Sequence, residues 1–174
     1  DGDLDMYFSS YVGGNGDCDR NFFYENLGDM KFVEIAEELG IADKGCSLAS
    51  TFSDYDNDGD FDLLVANDFG LTIQSNKIFE NLYPERKFVD VSENSGFDAR
   101  IFGMGIEGGD FDEDGDMDYY TTNIGPNKFY VNNGNKTMTE RGVEFGMDNK
   151  HKEGTDSLAT SWGIQWFDYN HDSY

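Results

Sequence analysis

The sequence has few basic residues, few histidines and cysteines, and no long hydrophobic run. Lys and Arg together number 12 of 174 residues against 36 acidic ones, for a formal net charge of −24. Nucleic acids and anionic membranes bind surfaces rich in Lys and Arg, so we expect neither as a partner. No apolar run approaches the roughly 18 residues of a membrane-spanning helix, so we expect no membrane insertion.

The scarcity of histidine and cysteine also limits the chemistry of the chain. His151 and His171 are the only imidazoles, and neither accompanies a nucleophile in a recognisable motif. No glycine motif that cradles phosphate is present. Cys18 and Cys46 are too few for a disulfide framework, and their spacing matches no zinc-binding pattern. We therefore predict that the chain is not an enzyme.

What the chain has in abundance is a repeat. The stretches DGDLDMYF (1–8), DGDFDLLV (58–65) and DGDMDYYT (114–121) align without gaps, and FDYNHDS (167–173) matches SDYDNDG (53–59) at its aspartates. Equivalent aspartates recur at intervals of 57, 56 and 58 residues: Asp1, Asp58, Asp114 and Asp172. Such a period indicates one supersecondary unit repeated along the chain.

Each unit is predicted to form four short strands. One strand precedes the aspartate loop, one follows it, and the third is an Asn-aromatic-Asn motif seen as NFFYEN (21–26), NKIFEN (76–81) and NKFYVN (127–132). The fourth is the KFV segment at 31–41 and 87–97. Within the first of these, VEIAEELG aligns with VDVSENSG, which favours a strand ending in a turn over a helix.

Four strands per repeat predict an all-β fold of propeller-type, four-stranded antiparallel blades with hairpin loops that bind calcium. Small residues align in the first strand and suit a crowded inner position: Ala49, Gly105 and Gly163. About three blades' worth of chain is present, divided into a partial blade with strands two to four, two full blades, and a first strand with a partial loop: 1–45, 46–101, 102–158 and 159–174.

Closed propellers need roughly four to eight blades, so this chain is not expected to close alone. One interpretation is that it is an excerpt of a longer protein. The other is head-to-tail self-assembly, in which the last half-loop of one copy and the first half-loop of the next complete a calcium site, giving rings or open filaments.

The aspartate loops have the spacing of an oxygen cage for Ca²⁺, which takes six to eight oxygen ligands. Counted from the first aspartate, side chains at positions 1, 3, 5 and 9 and the backbone carbonyl at 7 are the expected ligands, with glycine at 6 for the sharp turn. The two complete loops place these at Asp54, Asp56, Asp58, Asp60 and Asp62, and at Asp110, Asp112, Asp114, Asp116 and Asp118. An EF-hand is rejected because position 12 holds Val65 and Thr121 where that motif needs Glu.

Two further loops are incomplete. Their candidate ligands are Asp1, Asp3 and Asp5 in the first, and Asp168, Asn170 and Asp172 in the last. The four loops hold three, five, five and two aspartates, which is 15 of the 36 acidic residues. Supplying ligands for calcium therefore explains much of the net charge.

A family resemblance is carried by these loops and by two longer stretches: GMGIEGGDFDEDGDMDYYTTNIGPNKFYVNNG (103–134) and SWGIQWFDYNHDS (161–173). The chain resembles the FG-GAP or VCBS repeats of integrin alpha-subunit propellers and many secreted bacterial proteins, and is especially similar to the repeats of the cartilage acidic protein and UnbV group. The resemblance implies calcium in the hairpin between the first two strands of each blade. It also implies an extracellular adhesion, scaffold or ligand-binding role.

Three other features carry predictions. Cys18 and Cys46 fall on the face opposite the calcium hairpins, which makes a disulfide reasonable, with two free thiols as the alternative. Asn135 begins a glycosylation sequon in a Gly/Asn turn. Aromatic residues in the last predicted strand favour a core position over stacking on sugar rings: Trp162, Trp166 and Phe167.

Together these features predict a calcium-binding, secreted or cell-surface repeat module with a structural, adhesive or ligand-binding role. Its protein or glycan ligand is not indicated by the sequence. The alternative is a catalytic or non-catalytic propeller that forms part of a secreted enzyme acting on polysaccharides.

Overall fold

The computed structural model describes residues 2–12, 17–149 and 159–170, and it confirms the predicted all-β fold of blade-like repeats. The described residues form one three-stranded and two four-stranded sheets, all antiparallel and each a simple meander. The first sheet contains β1 (Met6–Phe8), β2 (Phe22–Asn26) and β3 (Phe32–Glu34). The second contains β4 (Ser47–Ser53), β5 (Asp62–Asn67), β6 (Lys77–Asn81) and β7 (Phe88–Asp90). The third contains β8 (Gly105–Gly109), β9 (Asp118–Thr122), β10 (Lys128–Asn132) and β11 (Met138–Glu140).

The complete aspartate loops are hairpin connections between the first two strands of the four-stranded sheets. The β4–β5 ladder ends at the pair Ser53 and Asp62, and the β8–β9 ladder ends at Gly109 and Asp118. Because antiparallel neighbours reverse direction at each turn, both loops lie at the same end of their sheets. The aspartate spacing therefore predicted the position of each hairpin.

A single helical turn follows the last strand in the first two sheets, where the sequence predicted only a strand ending in a turn. The helices are α1 (Ala36–Leu39) and α2 (Ser92–Ser95). Glu34 Oε1 accepts the N–H of Ala36 at 2.9 Å at the start of α1, and Gly40 ends it in the left-handed conformation with φ of 84°. Gly40 can adopt this φ without strain. The turn buries Ala36 and Leu39, so packing decides a conformation that the repeat alignment did not reveal.

The sheets stack face to face, and each interface is a hydrophobic cluster. Adjacent residues of a strand point to opposite faces. Leu63 accordingly packs with Phe23 of the first sheet, while Leu64 packs with Tyr119 and Tyr130 of the third. Every residue of β5 is buried, as expected for a strand covered on both faces. The second blade is therefore the centre of the described core.

The motif asparagines close the turns at the end of the sheets opposite the aspartate loops. Asn76 is fully buried, and its Oδ1 accepts the N–H of Asn67 at 3.0 Å. Asn127 Oδ1 likewise accepts the N–H of Asn123 at 2.9 Å. The side-chain oxygen satisfies a buried donor between the second and third strands, which explains why asparagine begins the motif.

The segment 159–170 packs against the outer face of the third sheet without forming a named strand. Ile164 and Trp166 contact the cluster of Tyr120 and Phe129, and Thr160 forms an isolated bridge with Ile124. β4 and β8 each pair with the strand that follows their aspartate loop. Within the described residues, no strand follows the last aspartate loop and pairs with 159–170. The backbone of this segment nevertheless lies very close to β8.

The short distance between this segment and β8 depends on Gly105, a small residue in β8. A Cβ added to Gly105 would lie 2.2 Å from the backbone oxygen of Trp162, too close for any side chain. The hydroxyl of Thr122 on the neighbouring strand donates a 2.7 Å hydrogen bond to the same oxygen. The small residue that the sequence placed at a crowded inner position thus admits the backbone of the next segment.

A disulfide joins Cys18 to Cys46, with the two Cα atoms 4.8 Å apart. Cys18 lies in the connection from β1 to β2, and Cys46 lies directly before β4. The bond therefore ties the first blade to the start of the second. The structure thus contains the disulfide and not the alternative of two free thiols.

Candidate metal centres

The loop 54–62 is shaped by hydrogen bonds between its own carboxylates and backbone. Asp54 accepts the N–H groups of Asp58 and Gly59 at 3.2 and 3.1 Å. Asp56 and Asp58 each accept the N–H two residues further along at 3.2 Å. Such turns are favoured by Asp because its short side chain reaches its own backbone. Gly59 has φ of 96°, a conformation that favours glycine.

The loop 110–118 repeats this conformation. Asp110 accepts the N–H groups of Asp114 and Gly115, both at 3.1 Å, and Gly115 has φ of 93°. Asp114 accepts the N–H of Asp116 at 2.9 Å. Two segments of the same spacing therefore fold the same way in neighbouring blades.

Each loop brings three carboxylates together. Oxygens of Asp54, Asp56 and Asp58 lie within 4.8 Å of one another. In the second loop the converging oxygens belong to Asp110, Asp112 and Asp118, so the third member is at position 9 instead of position 5. Two oxygens that each lie about 2.3–2.6 Å from one calcium ion are at most about 5 Å apart. Each triplet therefore has room for a shared hard cation, which would also relieve the repulsion among its like charges.

The aspartate at position 9 ties each loop to the third strand of its blade. Asp62 accepts the backbone N–H groups of Tyr55 and Asn81 at 3.1 and 2.8 Å, and it is fully buried. Asp118 accepts those of Phe111 and Asn132, both at 2.9 Å. These bonds fix the end of each loop against the third strand of its blade.

Burial raises the pKa of Asp62 to about 7, an increase that its two backbone hydrogen bonds oppose and that nearby Asp56 and Asp60 reinforce. Burial likewise raises the pKa of Asp118. The charged forms of both position-9 carboxylates are therefore disfavoured by burial, and a neighbouring positive charge would stabilise them.

The position-7 residues were predicted to act through their backbone carbonyls, and their side chains lie outside both triplets. Asp60 Oδ1 is buried and accepts no hydrogen bond, and burial raises the pKa of this carboxyl.

Asp116 accepts a hydrogen bond from the side chain of Asn57, which belongs to the other loop. Asn57 also donates to the backbone oxygen of Gly115 at 3.5 Å. The two loops are thus in direct contact.

The incomplete loops are only partly described. Asp1 and Asp172 lie outside the described residues, as do His151 and His171. Asp3, Asp5, Asp168 and Asn170 belong to no carboxylate triplet within the part of the chain that the structure describes. Asp5 has the position-9 role, because its Oδ1 accepts the N–H of Asn26 at 2.8 Å.

Sequence reasoning missed a lysine at the first complete loop. Lys136, in the turn between β10 and β11, places Nζ 2.6 Å from Asp56 Oδ2 and 2.8 Å from Glu80 Oε1. The Asp56 contact has an ion-pair distance but not hydrogen-bond alignment. Glu80 in turn accepts the Tyr55 hydroxyl at 3.2 Å. Only the stacking of blades brings Lys136 here, so no local sequence signal reveals it.

The structure also shows where the glycosylation sequon and the three aromatic residues predicted to lie in the core are located. Asn135 is exposed in the same turn, and its side-chain oxygen accepts a hydrogen bond from the Thr137 hydroxyl. Trp166 packs in the core, as expected, whereas Trp162 and Phe167 are 59% and 77% exposed, which contradicts a core position for these two.

A model of the FG-GAP-like repeat matches residues 1–65 and 54–121. The chain belongs to this family. Both matches begin at an aspartate loop and end shortly after the next one, so the FG-GAP-like repeat coincides with the spacing of the loops described above. No curated protein sequence matches the chain. The FG-GAP-like repeats here thus combine a propeller-type sheet with a carboxylate-rich hairpin.

Proposed function

We propose that the chain is a calcium-stabilised repeat module of an extracellular protein, with a structural, adhesive or ligand-binding role. The observation that carries the proposal is the recurrence of a carboxylate triplet within 4.8 Å at the same hairpin of two consecutive blades. Both triplets include the aspartates at positions 1 and 3 of the loop, where a calcium cage takes its first ligands.

The donor chemistry supports calcium. All side chains of the two triplets are carboxylates, the oxygen ligands that hard cations prefer, and both cysteines of the chain are held in the disulfide. The buried Asp60 Oδ1 without a hydrogen bond is an acceptor still in need of a partner. When bound, calcium supplies the positive charge that offsets repulsion within the loop. The chain itself shapes the loop and fastens it to the third strand.

Two features support an extracellular location. Disulfides persist mainly in oxidising compartments, and this chain has one at a blade junction. Extracellular fluid also supplies millimolar calcium, enough even for weak sites. None of the helices in the described residues is long and apolar enough to cross a membrane.

Thermal unfolding tests the calcium proposal. Protein stripped with EDTA is expected to melt at a lower temperature than protein in millimolar calcium, because a ligand of the folded state stabilises by RT ln(1 + [L]/Kd). Equimolar magnesium is the matched control, since Mg²⁺ sheds its water shell reluctantly. Identical melting in EDTA, magnesium and calcium contradicts the proposal.

Head-to-tail self-assembly is a further part of the proposal. Aromatic side chains are exposed on the outer face of the first sheet, where Phe8 is 46% exposed, and on the segment that covers the third sheet, where Trp162 and Phe167 are exposed. Exposed aromatic surface is typical of contact sites. Light scattering with and without EDTA tests it, and a monomer in both conditions contradicts it.

The exposed Trp162 and Phe167 also favour a second candidate, a propeller that forms part of a polysaccharide-acting protein. Aromatic rings of this kind present flat apolar faces to a ligand. A glycan-binding and glycan-degradation screen separates the candidates: binding without degradation fits the module we propose, and degradation fits the enzyme.

A further inference from the structure

Lys136 crosses from one blade into the aspartate loop of its neighbour. It belongs to the turn between β10 and β11 of the third sheet, yet its ammonium lies 2.6 Å from Asp56 in the loop of the second. The Asp56 side chain is 0% exposed, so water screens this ion pair little. A 2.8 Å bond to Glu80 on β6 holds the ammonium from the other side.

The second complete loop lacks this feature within the described residues. Asp112 is the counterpart of Asp56, and none of the ion pairs found in that part of the chain includes it. Among the described residues, Asp56 thus has an ammonium in direct contact, whereas Asp112 has the longer-range attraction of Arg141.

We infer that Lys136 is a tethered counter-cation that competes with calcium for Asp56 and lowers the calcium affinity of loop 54–62. The inference rests on the proposed function, namely that these loops bind calcium. An ammonium in contact with a candidate ligand carboxylate repels a divalent cation and obstructs its approach to that oxygen. Calcium entry therefore requires the ammonium to leave Asp56.

Glu80 makes such an exchange feasible without unfolding the turn. Because Lys136 bonds to Glu80 independently of Asp56, the ammonium keeps one carboxylate partner when it gives up the other. In the absence of calcium the same ammonium neutralises part of the loop and links the second and third blades. Loop 54–62 is therefore expected to fill at a higher calcium concentration than it would without Lys136.

Calorimetric calcium titration of single-loop variants tests the inference. Asp110→Asn disables the second loop, so the remaining heat reports loop 54–62. Adding Lys136→Gln is expected to strengthen this binding about tenfold, the size of a unit charge acting on a divalent ion at about 5 Å in a solvent-like dielectric. Lys136→Gln preserves the sequon and the turn. Lys44→Gln, which removes the same charge from an exposed site at the opposite end of the blade, is expected to change the affinity less than about threefold.

A second measurement separates competition from a merely structural role. In EDTA, Lys136→Gln is expected to lower the melting temperature, since Asp56 loses its counter-charge, while calcium affinity rises. A structural role alone predicts loss of stability without a gain in affinity, and that result overturns the inference. Lys136→Arg, which keeps the charge, is expected to restore the weaker binding.

The outcomes also distinguish the two proposals. Equal affinity in the Lys136→Gln and Lys44→Gln variants overturns the role of Lys136 and leaves calcium binding intact. If loop 54–62 binds calcium only in the Lys136→Gln variant, Lys136 blocks calcium binding in the unmodified chain, which supports the inference. If it binds no calcium with either residue, the inference fails, and an Asp54→Asn variant then shows whether loop 110–118 still supports the proposed function.

Discussion

The backbone N–H of Asn81 donates a 2.8 Å hydrogen bond to Asp62 Oδ1, which fastens the end of the aspartate loop to the third strand of its blade. Asp62 Oδ2 accepts the N–H of Tyr55 at 3.1 Å, so one carboxylate satisfies two backbone donors. Asn132 and Asp118 repeat the contact at 2.9 Å in the next blade. The position-9 aspartate is therefore a structural element of the hairpin as well as a candidate ligand.

Asp62→Ala is expected to destabilise the chain even without calcium, because it leaves two backbone donors without acceptors. The loss in free energy of unfolding should be about 2–4 kcal/mol, measured by urea denaturation in EDTA. Asp58→Ala, at an exposed position of the same loop, also removes an aspartate side chain and should cost less than about 0.5 kcal/mol. Equal losses would contradict the structural role of Asp62.

The contact between Glu34 and Arg20 is expected to stabilise the fold at neutral pH and to be lost in acid. Its carboxylate accepts two hydrogen bonds from Arg20, at 3.1 and 2.7 Å, and this contact lowers the pKa of Glu34 from 4.5 to about 2. Because the folded pKa lies below the unfolded one, the stabilisation is complete above pH 4.5 and disappears as the pH falls toward about 2.

The measurement is the melting temperature across that pH range. Glu34→Gln is expected to lose less stability between pH 4.5 and about 2 than the unmodified chain does. Glu38→Gln, at an exposed position in α1, is the matched control. A Glu34→Gln profile parallel to that of the unmodified chain would show that the Arg20 contact does not stabilise the fold.

The disulfide between Cys18 and Cys46 is expected to stabilise the junction of the first two blades. It closes a chain segment of 28 residues, and removing such a bond typically costs about 2–4 kcal/mol. Urea denaturation with and without a reducing agent measures the effect. A Cys18→Ser, Cys46→Ser variant is the control, because its unfolding should not respond to the reducing agent. An unfolding midpoint that reduction does not shift would speak against the bond.

The local parts of the fold were predictable from the sequence. Aspartates at alternate positions around Gly59 and Gly115 predicted the hairpins, because the turn and the carboxylates that converge in it are encoded within nine residues. A strand was predicted after each loop, and β5 and β9 occupy these positions. The helical turns were missed because α1 and α2 are only four residues long and show no helical period.

Contacts between blades were not predictable in the same way. Lys136 is 80 residues from Asp56 in the sequence, and Asn57 meets Asp116 only because neighbouring blades stack with their loops side by side. Such contacts depend on tertiary packing and have no periodic signature. The calcium ligands themselves stay a prediction, supported by the convergence of the carboxylates.

Calorimetric titration of calcium into the EDTA-stripped chain tests the central claim most directly. We predict two sites, one of which is lost in Asp54→Asn and the other in Asp110→Asn, with both lost in the double variant. The Lys44→Gln variant, altered at an exposed position outside both loops, should retain two. No binding heat at millimolar calcium, or two sites that persist in the double variant, would contradict the account.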